Sequence, residues 1–208
     1  MSKRKGVLTV ISGYSGSGKG TVMNSLMKKY GEQYKLSVSA TTRTPRVGEE
    51  HGREYFFISR DEFERMIANG DLLEHACYVG NYYGTPKAAV IECLEKGIDV
   101  LLEIEMQGGT QIKEKFPEAV LLFIMPPSAD ELRRRLIGRG TETPDVIEAR
   151  LKRAREEAHW MDEYDYLLIN ENVDDCVEQL HNIIQCQHFR PAQCKSLISQ
   201  IKEELNQL

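Results

Sequence analysis

A glycine-rich loop between an apolar segment and a helical segment is the feature that most constrains how this 208-residue chain can fold. Residues 6–12 are apolar and partly β-branched, residues 13–18 contain three glycines, and residues 21–30 carry apolar side chains at helical spacing. This order predicts a strand, a tight loop and a helix in succession. Such a unit is typical of a parallel sheet whose strands are joined by helices.

Later parts of the chain repeat the same alternation. Three apolar segments predict further buried strands, at residues 99–105, 119–125 and 165–170. Each precedes a segment with apolar residues at helical spacing, at residues 111–116, 129–137 and 174–185. The alternation predicts a three-layer α/β fold, in which helices cover both faces of a parallel core sheet.

Residues 35–94 interrupt this alternation. They are rich in Arg, Tyr, Gly and Thr, and they contain short strand-like pieces at residues 36–40, 54–58 and 74–78. We therefore expect a small inserted α+β lobe at residues 35–94, with the core formed by residues 1–34 and 95–190.

Two further segments stand out in the second half of the chain. Residues 138–144 are polar and glycine-rich and lie between two Arg-rich helical segments, which predicts a mobile flap within a lid at about residues 126–156. Residues 191–208 follow a proline and are predicted to form a helical extension. Its apolar residues share one face: Leu197, Ile198, Ile201 and Leu205.

Composition and charge limit the classes of function. The chain carries 27 Lys and Arg against 32 Asp and Glu, and this net charge of −5 argues against a general electrostatic grip on nucleic acid or anionic lipid. The longest apolar run, residues 119–125, is far shorter than the roughly 20 residues that a membrane span needs. The five cysteines are an odd number. We expect reduced thiols, a cytoplasmic protein, and neither nucleic acid nor membrane as a partner.

The glycine loop fits the phosphate-binding pattern G-x-x-x-x-G-K. Its residues are Gly13, Tyr14, Ser15, Gly16, Ser17, Gly18 and Lys19. Glycines allow consecutive backbone N–H groups to surround phosphate oxygens, the start of the following helix adds partial positive charge, and the lysine adds a full one. The motif therefore predicts that this loop, called the phosphate loop below, binds a nucleoside triphosphate.

One position departs from that pattern. Gly20 stands where the motif expects a Ser or Thr that holds Mg²⁺, and Thr21 follows one place later. Thr21, bridging water or a carboxylate could take over this role. Glu103 and Glu105 are the candidate carboxylates, because residues two apart on a strand point to the same side.

Five motifs occur in the order found in the guanylate kinase family, which this chain closely resembles from about residue 6 to residue 187. They are the phosphate loop and residues 39–57, 80–85, 105–108 and 138–143. The resemblance implies a kinase that uses Mg²⁺ and ATP to phosphorylate GMP and dGMP. It also implies a place in purine nucleotide metabolism and GMP recycling, and an inserted lobe that binds GMP.

The resemblance assigns nucleotide contacts residue by residue. The implied ATP contacts are the phosphate loop, Gly20, Thr21 and Asn170, and both Asn170 and Asn172 resemble contacts on the adenine side. The implied GMP contacts are Ser39, Arg43, Arg46, Tyr55, Glu74, Tyr83, Thr85 and Glu105. Thr85 replaces a more usual Ser, and Glu105 replaces a more common Asp.

Chemistry supports several of these roles. Two guanidinium groups three residues apart, Arg43 and Arg46, can converge on one phosphate dianion. A carboxylate such as that of Glu74 accepts from both N1–H and the exocyclic amine of guanine, whereas adenine presents an acceptor at N1. An unpaired buried acceptor of this kind discriminates by about 10⁴-fold or more.

The lid supplies the remaining implied catalytic groups. Arg135, Arg139 and Arg150 resemble lid arginines that close over the transferred phosphoryl group, and half or more of the arginines between residues 130 and 155 are expected to form ion pairs on helix surfaces. The expected catalytic residues are Lys19, Arg43, Arg139 and Arg150. Thr21 and Glu103 are the candidate Mg²⁺ ligands.

Two other functions remain open from the sequence. A binding module could keep the GMP lobe and hold phosphopeptides at Arg43 and Arg46, although Lys19 and Arg139 argue for catalysis. A related kinase could act on another phosphorylated acceptor, such as a sugar phosphate, and would not need Glu74.

A zinc site is not expected from the histidines and cysteines near the C-terminus, because they lack paired ligand spacing: Cys176, His181, Cys186, His188 and Cys194.

Overall fold

The computed structural model describes residues 4–78, 80–138, 140 and 143–208. The strands are β1 (Leu8–Gly13), β2 (Tyr34–Leu36), β3 (Ser39–Thr41), β4 (Tyr55–Phe57), β5 (Leu72–Tyr78), β6 (Asn81–Pro86), β7 (Asp99–Glu103), β8 (Val120–Met125) and β9 (Tyr166–Ile169). The helices are α1 (Lys19–Tyr30), α2 (Arg60–Asn69), α3 (Lys87–Glu95), α4 (Met106–Lys115), α5 (Ala129–Gly138), α6 (Pro144–Glu157), α7 (Val173–Gln187) and α8 (Lys195–Leu205). A 3₁₀ segment, Ala158–Glu163, follows α6.

The larger sheet has the strand order β2-β7-β1-β8-β9, and every pair in it is parallel. On one face, α1 and α7 pack against it through residues such as Leu26 and Leu180. On the other face, α3 and α4 pack through Val90 and Ile112. The predicted three-layer α/β fold is thus confirmed, and the sheet is buried on both sides as the continuous apolar strands require.

A smaller sheet with the order β4-β3-β6-β5 lies between β2 and α3 in the sequence. Its β3–β6 and β5–β6 pairs are antiparallel, and its β3–β4 pair is parallel. Helix α2 covers it with Phe63, which is buried against Ala40 and Leu72. This sheet is the inserted α+β unit, and it spans residues 39–86.

Several predicted boundaries differ from the structure. The piece at residues 36–40 is two strands: β2 pairs with β7 of the larger sheet, and β3 belongs to the smaller one. Helix α3 also packs on the larger sheet, so the predicted lobe range 35–94 includes two elements that belong with the core. The strand predicted at 99–105 ends at Glu103, and the helix predicted from residue 111 begins at Met106. Gly108 and Gly109 weaken the local helix signal, whereas packing against the sheet stabilises the helix.

The structure describes the whole C-terminal extension but only part of the predicted flap. Helix α8 forms within residues 191–208, and its apolar side chains Leu197, Ile201 and Leu205 are 56%, 44% and 62% exposed. Residues 139, 141 and 142 of the flap, and therefore the predicted catalytic Arg139, lie outside the described residues. In the part of the chain that the structure covers, no helix has both the length and the apolarity needed to cross a bilayer.

Candidate active site

The phosphate loop joins the end of β1 to the start of α1. Gly16 and Gly18 have φ angles of +95° and +85°, in the left-handed region that favours glycine. A Cβ atom on Gly18 would also lie 2.4 Å from Nδ2 of Asn170. The backbone N–H of Ser17 donates to the carbonyl of Tyr14 at 3.0 Å, which closes the turn. The loop therefore has the shape of an anion cradle at a helix N-terminus.

Two side chains support this loop from behind. Asn170 is 2% exposed, and its Nδ2 donates to the carbonyl of Ser17 at 2.8 Å. Arg135 donates from Nη1 to the same carbonyl at 3.1 Å and from Nη2 to the carbonyl of Asn170 at 2.8 Å, while Glu131 holds its Nε at 2.7 Å. Asn170 and Arg135 therefore brace the phosphate loop, and the predicted adenine contact of Asn170 and the predicted lid role of Arg135 stay predictions. Asn172 caps α7, accepting from the backbone N–H groups of residues 174 and 175.

A cleft of about 850 Å³ opens in front of the phosphate loop. Lys19 lies on its floor, with Nζ 3.9 Å from Oε1 of Glu103. Helix α6 forms the opposite wall, where Nη1 of Arg150 is hydrogen-bonded to Oγ of Ser15. The hydroxyl of Tyr14 donates to the sulfur of Met161 at 2.8 Å, just beyond α6. Other lining residues include Gly13, Gly16, Gly18, Gly20, Thr21, Glu105, Arg153 and Glu157. The structure thus places the phosphate loop and the predicted lid arginine Arg150 around one space.

The predicted Mg²⁺ ligands, Thr21 and Glu103, both line this cleft. Among the described residues, no group of three His, Cys, Asp or Glu side chains could hold a metal ion by itself. Mg²⁺ in nucleotide sites uses one or two protein oxygens together with phosphate and water oxygens. One hydroxyl and one carboxylate beside Lys19 therefore fit this ion as a companion of bound triphosphate.

Arg43 is the centre of a second anion site at the end of β3. Its Nη2 and Nη1 lie 3.0 Å and 2.9 Å from the two oxygens of Glu49, and the guanidinium lies 5.4 Å from the ring centre of Tyr55. Glu49 also accepts from the backbone N–H of Arg46, whose side chain is exposed. The rings of Tyr55 and Tyr83 lie 6.0 Å apart. Arg43, Tyr55 and Tyr83 therefore come together, and Arg46 joins them through its backbone contact with Glu49.

Charges on both sides of the cleft act on Tyr55. Its pKa is raised, chiefly by burial; Tyr83, Glu103 and Glu49 also raise it, whereas Arg43 lowers it. Glu103 contacts Lys19 as well. The cleft that contains the phosphate loop and the Arg43 site are therefore neighbours.

Glu74 lies on β5, which pairs with β6 in the smaller sheet. It is only 4% exposed, and its Oε1 accepts a 2.7 Å hydrogen bond from the hydroxyl of Thr85, which is also buried. Burial raises the pKa of Glu74. A Cβ atom on Gly108 would lie 2.8 Å from Oε2 of Glu74, so only glycine leaves this carboxylate in place. Ser39 stands opposite Tyr55 in the β3–β4 register, and Tyr55 belongs to the Arg43 site.

Glu105 has a different neighbour from the one expected. It lies directly before α4, and its Oε2 is 2.9 Å from Nη2 of Arg153 in α6. Its side chain is largely exposed and lines the cleft together with Glu103. The contact of Glu105 with guanine stays a prediction.

Four residues of this region were not predicted from the sequence: Glu49, Gly108, Tyr78 and Arg153. Glu49 and Gly108 both lie within the recognised motifs. Glu49 could have been found by looking in the motif at residues 39–57 for an acidic partner of the phosphate clamp. Tyr78 and Arg153 meet only in three dimensions, where the guanidinium lies 4.8 Å from the ring centre. No local pattern indicates that contact.

The histidines and cysteines near the C-terminus have separate structural roles. Cys176 is buried in the core. Nδ1 of His181 is hydrogen-bonded to the hydroxyl of Tyr34 at 2.8 Å, and Nε2 of His188 lies 2.9 Å from the buried carboxylate of Asp99. All five cysteines are free thiols.

Comparisons with known proteins agree with this geometry. A family profile described as guanylate kinase matches residues 5–187. A guanylate kinase of Clostridioides difficile is 52% identical over 206 residues, covering 99% of this chain and all of that one. A guanylate kinase of Streptococcus thermophilus is 53% identical over 190 residues, covering 91% of this chain and 90% of its own. The crystal structure of guanylate kinase from Anaplasma phagocytophilum superimposes with a TM-score of 0.74 at 36% identity, covering 92% of this chain and 90% of that one. With the fold, the phosphate loop and the sequence in agreement, the chain belongs to the guanylate kinase family.

Proposed function

We propose that this protein transfers the γ-phosphoryl group of ATP to GMP, and also to dGMP, and releases ADP and the nucleoside diphosphate. The observation that carries this proposal is the buried carboxylate of Glu74, held by Thr85 in the same molecule as a phosphate loop. The phosphate loop accounts for the donor. The carboxylate accounts for the choice of a guanine acceptor.

The donor triphosphate binds at the phosphate loop. Backbone N–H groups between Gly13 and Lys19 surround its oxygens, and the Lys19 ammonium neutralises charge on the β- and γ-phosphates. Arg150 reaches the loop from the lid and adds a second positive charge above it. Arg139 has the same proposed role on the basis of its position in the sequence motif.

The acceptor phosphate binds at Arg43, Arg46, Tyr55 and Tyr83. In the described structure Glu49 holds the guanidinium of Arg43 through two contacts, which fixes its plane. A planar fork with a fixed direction suits a phosphate dianion. The clamp therefore orients the attacking phosphate oxygen towards the donor.

The base is selected by Glu74, with Thr85 and Ser39 as hydroxyl contacts to the purine and Glu105 as a further acidic contact. Glu74 accepts from the N1–H and amine of guanine. Adenine offers no such donor pair and would leave the buried carboxylate unpaired, which costs free energy. The proposed contacts are to the base and the phosphate, and we therefore include dGMP.

Catalysis by this arrangement requires alignment and charge neutralisation rather than a covalent intermediate on the protein. Lys19 and the lid arginines stabilise the negative charge on the transferred group, while Arg43 aligns its acceptor. Thr21 and Glu103 would hold Mg²⁺, directly or through water, and the bound ion would supply positive charge to the same phosphates. Closure of the lid excludes water, which would otherwise accept the phosphoryl group.

In the cell, this reaction supplies GDP for purine nucleotide metabolism and recycles GMP. We place it in the cytoplasm. The free thiols support this placement.

A coupled assay for ADP tests the proposal. Purified protein with Mg²⁺, ATP and GMP should produce ADP and GDP in equal amounts, and omission of GMP should stop ADP formation. ADP release at the same rate without GMP, or no release with it, would contradict the proposal. Lys19→Met provides the matched inactive control, because it removes the loop cation without adding bulk.

A further inference from the structure

Arg153 joins three elements of the structure through one side chain. It lies on α6, and its Nη2 is 2.9 Å from Oε2 of Glu105 at the start of α4. Its Nε donates to Oε1 of Glu157 at 2.7 Å on the same helix. Its guanidinium carbon lies 4.8 Å from the ring centre of Tyr78, at the end of β5 in the smaller sheet. The lid helix thus contacts the start of α4 and the end of β5 in the smaller sheet through this residue.

The chemistry of arginine suits this arrangement. A planar guanidinium can stack on an aromatic ring and still direct two edges towards carboxylates. The side chain is 40% exposed, so one of these contacts alone would contribute little. Because all three contacts immobilise the same side chain, they together offset a single loss of side-chain conformational entropy.

Glu105 contributes through its length. The family resemblance implies a more common Asp at this position, and the extra methylene extends the carboxylate towards α6. An Asp carboxylate on the same backbone would fall short of the 2.9 Å contact with Arg153. The longer acidic side chain and Arg153 therefore act as a pair in this protein.

Arg153 is one helical turn after Arg150. Residues three apart on a helix share a face, and Arg150 contacts Ser15 of the phosphate loop. Contacts of Arg153 with Glu105 and Tyr78 consequently fix the height and rotation of α6 over the cleft. A fixed helix also fixes Arg150.

We propose that Arg153 is a positioning residue that latches the lid helix α6 onto Glu105 and Tyr78, and thereby sets Arg150 over the donor phosphates. The proposal rests on the proposed kinase function. Arg153 acts through Arg150 and Glu105, and it is not itself assigned a contact with either nucleotide. Because the latch joins the lid to the smaller sheet, binding of either nucleotide should favour the other.

Kinetics of three variants test the latch. Arg153→Ala removes all three contacts, Arg153→Lys keeps the charge but loses the planar fork, and Arg155→Ala is the control. Arg155 is on the same helix, is exposed, and approaches only Glu148, at 3.6 Å, among its described ion-pair contacts. We expect Arg153→Ala to lower kcat/KM for GMP by about tenfold or more, with Arg153→Lys restoring only part of it. We expect Arg155→Ala to stay within about twofold of the parent.

Trp160 gives a second readout. It is the only tryptophan of the chain and lines a pocket of about 470 Å³ together with Tyr78, Glu105 and Arg153. Saturating GMP with a non-hydrolysable ATP analogue should change its fluorescence in the parent and in Arg155→Ala. In Arg153→Ala this change should be reduced at equal occupancy, because the lid is no longer fixed. A loss of folding alone would not produce that difference at full occupancy.

The outcomes separate the latch from the kinase function. If parent protein phosphorylates GMP but Arg153→Ala matches Arg155→Ala in kcat/KM and in Trp160 fluorescence, the latch is wrong and the kinase function stands. If the parent does not phosphorylate GMP, the kinase function fails, and the fluorescence comparison still decides whether Arg153 couples the lid to bound nucleotide. Should Arg153→Ala not fold, Arg153→Lys decides by the same two measurements.

Discussion

The hydroxyl of Thr85 donates to the buried carboxylate of Glu74 across the β5–β6 pair, over 2.7 Å. This bond fixes the carboxylate where burial alone would favour its protonated form. Because Oε1 of Glu74 is already paired with Thr85, the carboxylate recognises a ligand that donates hydrogen bonds to its remaining acceptor positions. The relationship underlies the first two predictions.

Replacing Glu74 with Gln should weaken GMP use selectively. The amide removes the charge and turns one acceptor into a donor, so we expect kcat/KM for GMP to fall by about 5- to 150-fold, or about 1 to 3 kcal/mol. KM for ATP should stay unchanged. Initial rates with each nucleotide varied in turn measure both quantities, and Glu92→Gln, an exposed change on α3, is the control.

The pH dependence of kcat/KM for GMP should show a step caused by the ionisation of Glu74. Its pKa in the folded protein is raised, so the carboxylate becomes protonated at a higher pH than an ordinary glutamate. As the pH falls through that raised value, kcat/KM for GMP should decrease by about tenfold per unit. The protonated side chain stabilises the fold relative to the ionised one, and this contribution is lost as the pH rises through the same pKa. Glu74→Gln should lack this step, whereas ionisation of the GMP phosphate affects both proteins equally; identical profiles would refute the assignment.

Arg43→Lys should raise KM for GMP by about tenfold, because a lysine cannot reproduce the planar two-pronged contact with a phosphate. KM for ATP should change little, since Arg43 lies in the smaller-sheet site. Arg60→Lys on α2, which pairs with Glu64, is the matched control. An equal rise in KM for ATP would show that Arg43 does not belong to the acceptor site.

Gly108→Ala should act on GMP through Glu74. The new Cβ would lie 2.8 Å from Oε2, so the carboxylate must move. We expect a higher KM for GMP and an unchanged KM for ATP, and helix α4 should tolerate alanine better than glycine. Gly20→Ala, where no atom lies within 4 Å of the new Cβ, is the control for a glycine near the donor site. Unchanged GMP kinetics in Gly108→Ala would contradict the role given to this glycine.

Replacing Asn170 and replacing Asn172 should have different effects on KM for ATP, although the two residues are only two positions apart. Asn170→Ala removes the 2.8 Å bond to the Ser17 carbonyl, and we expect about 1 to 3 kcal/mol lower stability together with a higher KM for ATP. Asn172→Ala removes the cap of α7 and should cost about 0.5 to 2 kcal/mol without altering KM for ATP. Denaturant unfolding and initial rates test the pair. A rise in KM for ATP in both variants would mean that the effect is general destabilisation.

Local patterns predicted the phosphate loop and the core strands well. The loop between residues 13 and 19 is specified by its own glycines, and β8 is a continuous apolar run of the kind that a parallel sheet buries. Strand β6 was not predicted. It contains Gly84 and ends in Pro86, and antiparallel pairing with β5 stabilises it.

Roles that depend on tertiary contacts could not be predicted in the same way. The family resemblance implies a lid role for Arg135, but no local pattern indicates that its guanidinium also donates to backbone carbonyls more than thirty residues away in sequence. The contacts of Arg153 with Glu105 and Tyr78 likewise form only in three dimensions. The motifs brought Arg43, Tyr55 and Glu74 to attention, whereas their partners Glu49 and Gly108 became clear from distances.

Acceptor selection tests the central claim most directly. At fixed Mg²⁺ and ATP, kcat/KM should be measured for GMP, dGMP, AMP, CMP and UMP with the same enzyme preparation. GMP and dGMP should be used, and GMP should exceed AMP by about 10⁴-fold, as expected for a site that pairs a buried carboxylate with guanine. Comparable use of AMP, or use of none of the five, would contradict the account.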